Sequence, residues 1–403
     1  MMDLKLHIRT AFAYFLMAAL LGVVLRSFPS IEIPIDYKFI VHTHSHIALL
    51  GWVYVALTTL IYRLFVQSPL KDKKYCRIFW FTQLSLVGML FTFPFTGYAL
   101  FSIIFSTFFL FASYWFFWFF RKHAKRELKK TNAYTCITAA LWYLVLSSLG
   151  PWTLGAIMNT LGTESVWYRL AIYFYLHFLY NGWMIMALFG LFFYLLEQRQ
   201  IQPSKNAFQK FFWGINLGIV LSFFLSTLFA KPSIILNVLG GVGAVFQLLA
   251  LILLVRFLFP YRTRLRSILS KLQWNLLKAV FVLLSVKMIL QLLTAFPYFA
   301  NMAATVLDFT IGYLHWTFLG VVTIALFFLL DYFKLMWISG KAYIVYFLGF
   351  MVTELLIFYK GLAVWQSFSI FEGYFEALAV GSLLIPLGLI VMMMRKKRHR
   401  PSG

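Results

Sequence analysis

Apolar runs of about twenty residues follow one another along the whole chain, divided only by short connections rich in Lys and Arg. That pattern restricts the fold severely. The hydrocarbon core of a bilayer holds no water to satisfy backbone N–H and C=O groups, so only α-helices and closed β-barrels cross it. These runs are long enough for a spanning helix of ~20 residues. The expected fold is therefore all-α, a polytopic membrane bundle. Composition agrees, since 62% of the 403 residues are hydrophobic and 12% charged, against about half and about a quarter in soluble domains. No stretch is left for a soluble domain of useful size, so residues 1–403 read as a single transmembrane domain.

Length and hydropathy place about twelve spans, near residues 9–26, 39–66, 77–96, 99–120, 132–155, 166–196, 208–229, 233–257, 273–296, 303–331, 342–361 and 373–394. A tight FPFTGY turn around Pro94 and Gly97 joins the third to the fourth. No short-period repeat or low-complexity segment is evident. The net charge of +23 does not describe a nucleic-acid surface, because 29 of the 35 Lys and Arg residues fall in alternate connections. This is the positive-inside pattern of membrane proteins. It puts both termini in the cytoplasm and makes 395–403 a short basic cytoplasmic tail. The partner it implies for the basic loops is membrane lipid with anionic headgroups, and not nucleic acid. Cys76 and Cys136 fall near cytoplasmic helix ends and have no CxxC partner, so neither a disulfide nor a cysteine metal site is expected. Lys5 and Arg9 precede the first apolar run as in a signal peptide. No small-x-small cleavage site follows, and the run reads as a retained first helix.

Five histidines stand inside this apolar background. His42, His44 and His46 open the second span, His177 lies in the sixth and His315 in the tenth. Ionisable groups at membrane depth are costly and mark function, and neutral imidazole is the commonest metal ligand. At a rise of ~1.5 Å per residue the triplet lies roughly 5–12 Å below the outer end of its helix. His177 lies roughly 15 Å and His315 roughly 18 Å down, so all five fall in the outer half or near the middle of the membrane. A turn of ~100° per residue puts His42 and His46 on one face and His44 nearly opposite. All three cannot serve one centre on a regular helix. His177 has Tyr180 and Asn181 close in sequence, able to satisfy it as an ordinary polar cluster. His7, His123 and His399 lie in basic segments and read as solvated. Lys287, followed one turn later by Gln291, and Glu354 are the other intramembrane charges. Either a mutual ion pair or a haem propionate facing Lys287 would relieve their burial.

About twelve spans, with histidines early in the second, in the sixth and in the tenth, together resemble subunit I of the haem–copper oxidases and nitric oxide reductases. The second span is similar to the H-x-H-x-x-L-L-G-W stretch of divergent oxidase-like membrane proteins, here His44-Ser-His46-Ile-Ala-Leu-Leu-Gly51-Trp52. The resemblance implies an axial ligand of a low-spin haem from this span. The spacing to the far tyrosine, 18 residues on at Tyr62, points to His44, with His46 and His42 as alternatives. In the tenth span the family carries H-x-H followed by glycine. This chain reads Tyr313-Leu-His315 with Gly320 beyond, so His315 matches the low-spin ligand and Tyr313 replaces the high-spin one. His177 resembles a copper ligand in position. The copper site also requires an adjacent His-His pair in the seventh span, and the chain contains no His-His pair at all.

The resemblance therefore implies a low-spin bis-histidine haem of b type, with most of the oxygen-reducing site lost. Two axial imidazoles fill the iron's coordination, which suits electron transfer or redox and gas response better than catalysis. If the chain is an enzyme, it is a haem-dependent membrane oxidoreductase. The implied setting is a bacterial inner membrane, with other respiratory subunits or a cytochrome as partners. Two competing expectations remain. One is a metal-ion or small-solute transporter that captures its ion at the outer histidine cluster, and the other an active terminal oxidase.

Overall fold

The computed structural model describes residues 3–394. Helices make up 86% of it, and no strand occurs among the described residues. Twelve helices are long and apolar enough to cross a membrane: α1 (Leu4–Ser27), α2 (Tyr37–Val66), α3 (Pro69–Thr96), α4 (Leu100–His123), α5 (Asn132–Thr160), α6 (Val166–Gln198), α7 (Lys205–Ala230), α8 (Ile234–Ile268), α9 (Lys271–Leu293), α10 (Leu307–Tyr332), α11 (Gly340–Gln366) and α12 (Tyr374–Met394). The fold is an all-α polytopic membrane bundle. The basic tail 395–403 and His399 lie outside the described residues.

Polar residues start these helices where the apolar runs begin, by accepting hydrogen bonds from otherwise unpaired N–H groups. Asp36 caps α2 through Lys38 N at 2.7 Å and Phe39 N at 3.3 Å. Thr131, Ser165 and Ser204 cap α5, α6 and α7 in the same way. Ser270 and Gln273 form a reciprocal capping box on α9. The turn expected between the third and fourth spans is present. Pro94 lies within α3, and Gly97 ends that helix at φ +56°, where a Cβ would also meet the Phe39 ring at 2.4 Å. The stretch read as one span from residue 303 is divided. A short helix, Pro297–Thr305, comes first, and α10 starts afresh at Leu307.

The chain divides into two compact units. One comprises the residues up to Phe120 together with those from Leu326 onward, and the other is Arg121–Ala325. Three helices are more buried than the rest. In α2 and α6, 94% of the most apolar window is inside, and in α10 67%, against 33–56% in the other nine. These are the three helices that carry His42, His44, His46, His177 and His315.

Each of the three also changes its winding at the same place. A π-helical segment begins immediately after His46 (Ile47–Tyr54), after His177 (Phe178–Ile185) and after His315 (Trp316–Val322). The sequences around these segments run parallel. His44-Ser-His46, Tyr175-Leu-His177 and Tyr313-Leu-His315 are each followed five residues on by Gly51, Gly182 or Gly320. Ala56-Leu57, Ala187-Leu188 and Ala325-Leu326 come five residues later again. Each π segment packs on the helix before it, α2 on α1, α6 on α5 and α10 on α9. The glycine allows that approach. A Cβ on Gly51 would lie 2.7 Å from Tyr14 Cβ, and one on Gly182 2.5 Å from Tyr143 Cγ. The pattern of histidine, π segment, glycine and Ala-Leu pair thus recurs three times, on every fourth spanning helix.

Candidate functional site

In the first unit the three histidines of α2 divide between two faces. His44 turns toward α1, where its Nδ1–H donates to the Ala18 carbonyl at 2.8 Å. Gly22 makes room for the ring, since a Cβ there would stand 3.2 Å from His44 Cε1. His46 donates its Nδ1–H to the His42 carbonyl one turn back, also at 2.8 Å. Its ring stacks on Phe93 with centroids 4.6 Å apart, and its Nε2 stands 3.4 Å from the Tyr98 hydroxyl. His42 sets its ring edge-on to Tyr98 at 4.6 Å. The opposed faces expected from helix geometry are therefore present. A carbonyl only accepts, so the neutral rings of His44 and His46 both carry their proton on Nδ1. That is the tautomer a metal-binding imidazole adopts when it binds through Nε2 and anchors its other nitrogen on the backbone.

The second unit holds a buried polar cluster. His177 donates Nε2–H to the Ile219 carbonyl at 2.8 Å, and its Nδ1 stands 3.0 Å from Ser226 Oγ and 3.3 Å from Asn181 Nδ2. Both ring nitrogens are committed to protein groups. The Asn181 oxygen accepts from Lys287 Nζ at 2.5 Å, and Gln291 Oε1 accepts from the same ammonium at 2.6 Å. Tyr313 donates its hydroxyl to Gln291 Oε1 at 3.2 Å. The Tyr180 and Tyr313 rings each lie 5.7 Å from Lys287 Nζ. His177, Asn181, Lys287 and Gln291 are all buried, Lys287 completely. His315 is half-buried at the last turn before its π segment. The neighbouring Trp316 turns its indole N–H onto the Leu283 carbonyl of α9 at 2.9 Å.

One sequence expectation is corrected here, that of His7. The hydrogen bonds of Lys287 go to amide oxygens of its own unit. The charge acting on Glu354 is the Arg26 guanidinium, whose Nη1 donates to Ser382 Oγ at 2.6 Å. His7 is not solvated. It is buried at 3% exposure and stacks on Phe79 with centroids 3.5 Å apart, because α1 already begins at Leu4 and turns His7 onto the face carrying Leu4, Ile8 and Ala11.

Among the described residues no group of three or more His, Cys, Asp or Glu side chains is placed to hold a metal ion. Asn181 was not singled out by sequence reasoning except as a neighbour of His177, and its bond to Lys287 joins residues 106 apart in the chain. The repeat supplies a signal that would have found it, because Asn181 stands at the position of Leu50 and Leu319 in the other two copies. No family model matches the chain, and no curated protein matches it.

Proposed function

We propose that this is an integral membrane haem-binding protein that transfers electrons or responds to redox state and small gases. The observation that carries the proposal is the state of the α2 histidines. Two imidazoles, His44 and His46, anchor Nδ1–H on backbone carbonyls at 2.8 Å, the support that metal-ligating histidines require. Both fit an axial-ligand role, His46 on giving up the 3.4 Å contact of its Nε2 with the Tyr98 hydroxyl. His42, for which no such anchor is seen among the described residues, fits it less well. His315 is the second ligand that the sequence offers. The chain carries no C-x-x-C-H motif for covalent attachment, which suits a b-type haem. When bound, the haem supplies the one-electron redox centre, and the chain fixes its ligand rings and excludes water from them.

The residues present do not fit a copper centre. His177, the positional match to a copper ligand, spends both ring nitrogens on Ile219, Ser226 and Asn181, and the chain has no His-His pair. This supports electron transfer over oxygen reduction. We place the protein in a bacterial inner membrane with both termini cytoplasmic, on the alternation of basic connections, and take a respiratory subunit or cytochrome as its redox partner. The test is absorption spectroscopy of variants. His44→Ala or His46→Ala, and His315→Ala, are expected to lose the bis-histidine spectrum, whereas His42→Ala keeps it. Retention of the full spectrum in a His44→Ala, His46→Ala double variant would overturn the proposal.

A further inference from the structure

The three-fold repeat shows where one copy has been altered. In each copy the first helix sets one residue against the His or Tyr two positions before the register histidine. In α1 this is Gly22 beneath His44, and in α5 it is Gly150, whose Cβ would lie 2.7 Å from Tyr175 Cβ. In α9 it is Gln291, bonded to Tyr313. Four residues before these stand Ala18, Leu146 and Lys287, and four residues after the register histidines stand Leu50, Asn181 and Leu319. Gln291, Lys287 and Asn181 are thus three polar departures from positions that are otherwise glycine or apolar, and they meet in one cluster.

That cluster holds more donors than acceptors. Lysine has three N–H donors, and two of those of Lys287 are taken by Asn181 Oδ1 and Gln291 Oε1. Gln291 Oε1 also accepts from Tyr313, which fixes the amide oxygen toward both donors, and its Nε2 is buried without a hydrogen-bond partner among the described residues. The second unit contains four acidic residues. Glu127 lies in the turn Arg126–Lys130, Glu164 in the connection before α6, and Asp308 in the first turn of α10. Glu197 caps α5 through Ala133 N. None of them pairs with Lys287. Among the described residues of this unit the fully buried ammonium has no acidic partner and stands beside an amide N–H without an acceptor, an arrangement retained at high cost.

We infer that Asn181, Lys287 and Gln291 form a buried binding site for a small monovalent anion, of the size of chloride or formate. The anion accepts from Lys287 Nζ and Gln291 Nε2 and neutralises the single positive charge, while Asn181 holds the ammonium in place. This site does not depend on the haem reading, because its probe and its readout need no haem.

The experiment is equilibrium binding of radiolabelled chloride to the full-length protein in detergent, at constant ionic strength with gluconate as the balancing anion. Saturable binding of one chloride per chain, displaced by unlabelled formate, is expected for the wild type. Lys287→Met should abolish it. Gln291→Leu keeps the cation and removes one donor, and should weaken binding about tenfold or more, the usual cost of a hydrogen bond to a charged group. Gln291→Leu also carries the test if Lys287→Met fails to fold. Absence of saturable chloride binding in the wild type would overturn the inference. So would undiminished binding by Lys287→Met, or by Gln291→Leu.

Discussion

Substituting Ala at Gly51 or Gly182 tests whether the π segments hold their helices at the distance that the repeat requires. A Cβ on Gly182 would meet Tyr143 Cγ at 2.5 Å and Cβ at 2.6 Å, and one on Gly51 would meet Tyr14 Cβ at 2.7 Å and Cγ at 2.8 Å. Both neighbours are the inner atoms of a side chain, so rotating the ring relieves nothing and the two helices must part. Overpacking of this kind costs about 1–3 kcal/mol, and the upper half of that range is expected here because no flexible atom can give way. Gly155 is the control. It lies on α5 with nothing within 4 Å of its Cβ position, and Ala there should be neutral or stabilising by about 0.5–1 kcal/mol through its better helix propensity. The assay is reversible unfolding in mixed micelles with increasing denaturing detergent, followed by tryptophan fluorescence, with all three variants measured against the wild type. Gly51→Ala and Gly182→Ala should both fall well below Gly155→Ala. If all three lie within about 0.5 kcal/mol of the wild type, the close-packing account of the repeat is wrong.

Three further outcomes are expected. His177→Ala removes the groups that pair with the Ile219 carbonyl and Ser226, and should lower stability by on the order of 1–3 kcal/mol while leaving any haem absorbance unchanged. Loss of that absorbance together with an intact fold would show that His177 takes part in holding the haem. Arg26→Gln leaves the buried Glu354 without its opposing charge. The substitution also removes the donor to Ser382 Oγ, and the cost should be on the order of 1–3 kcal/mol, as for a hydrogen bond made by a charged group, with Glu354→Gln in the same chain recovering part of it. Failure of the second substitution to rescue would show that the two groups are not coupled. Topology is open to reporter fusions: fusions ahead of α1 and after α12 should report the same side, and fusions in the connections after α1 and α5 the other.

Much of the bundle is legible in the sequence because a spanning helix needs about twenty apolar residues whatever its neighbours. The first end of α2 could be read to within two residues for that reason, and so could the opposed faces of His42 and His44, which follow from helix geometry alone. The division before α10 was missed because Pro297 opens a helix as readily as it ends one. The burial of His7 was missed because basic neighbours say nothing about which face of α1 packs inward. The π segments have no compositional signal. The repeat that they share was hidden by its length: only the histidine, the glycine and an Ala-Leu pair persist, in copies well over a hundred residues apart. The partners of Lys287 were beyond reach because Asn181 lies three helices earlier and is joined to it only by tertiary packing.

The reduced-minus-oxidised absorption spectrum of the purified wild-type protein, with its haem quantified as the pyridine complex, tests the proposed function most directly. The account predicts a low-spin, bis-imidazole spectrum at about one haem per chain. Protein purified from haem-replete cells with no haem absorbance, and unchanged on reconstitution with haem b, would contradict it.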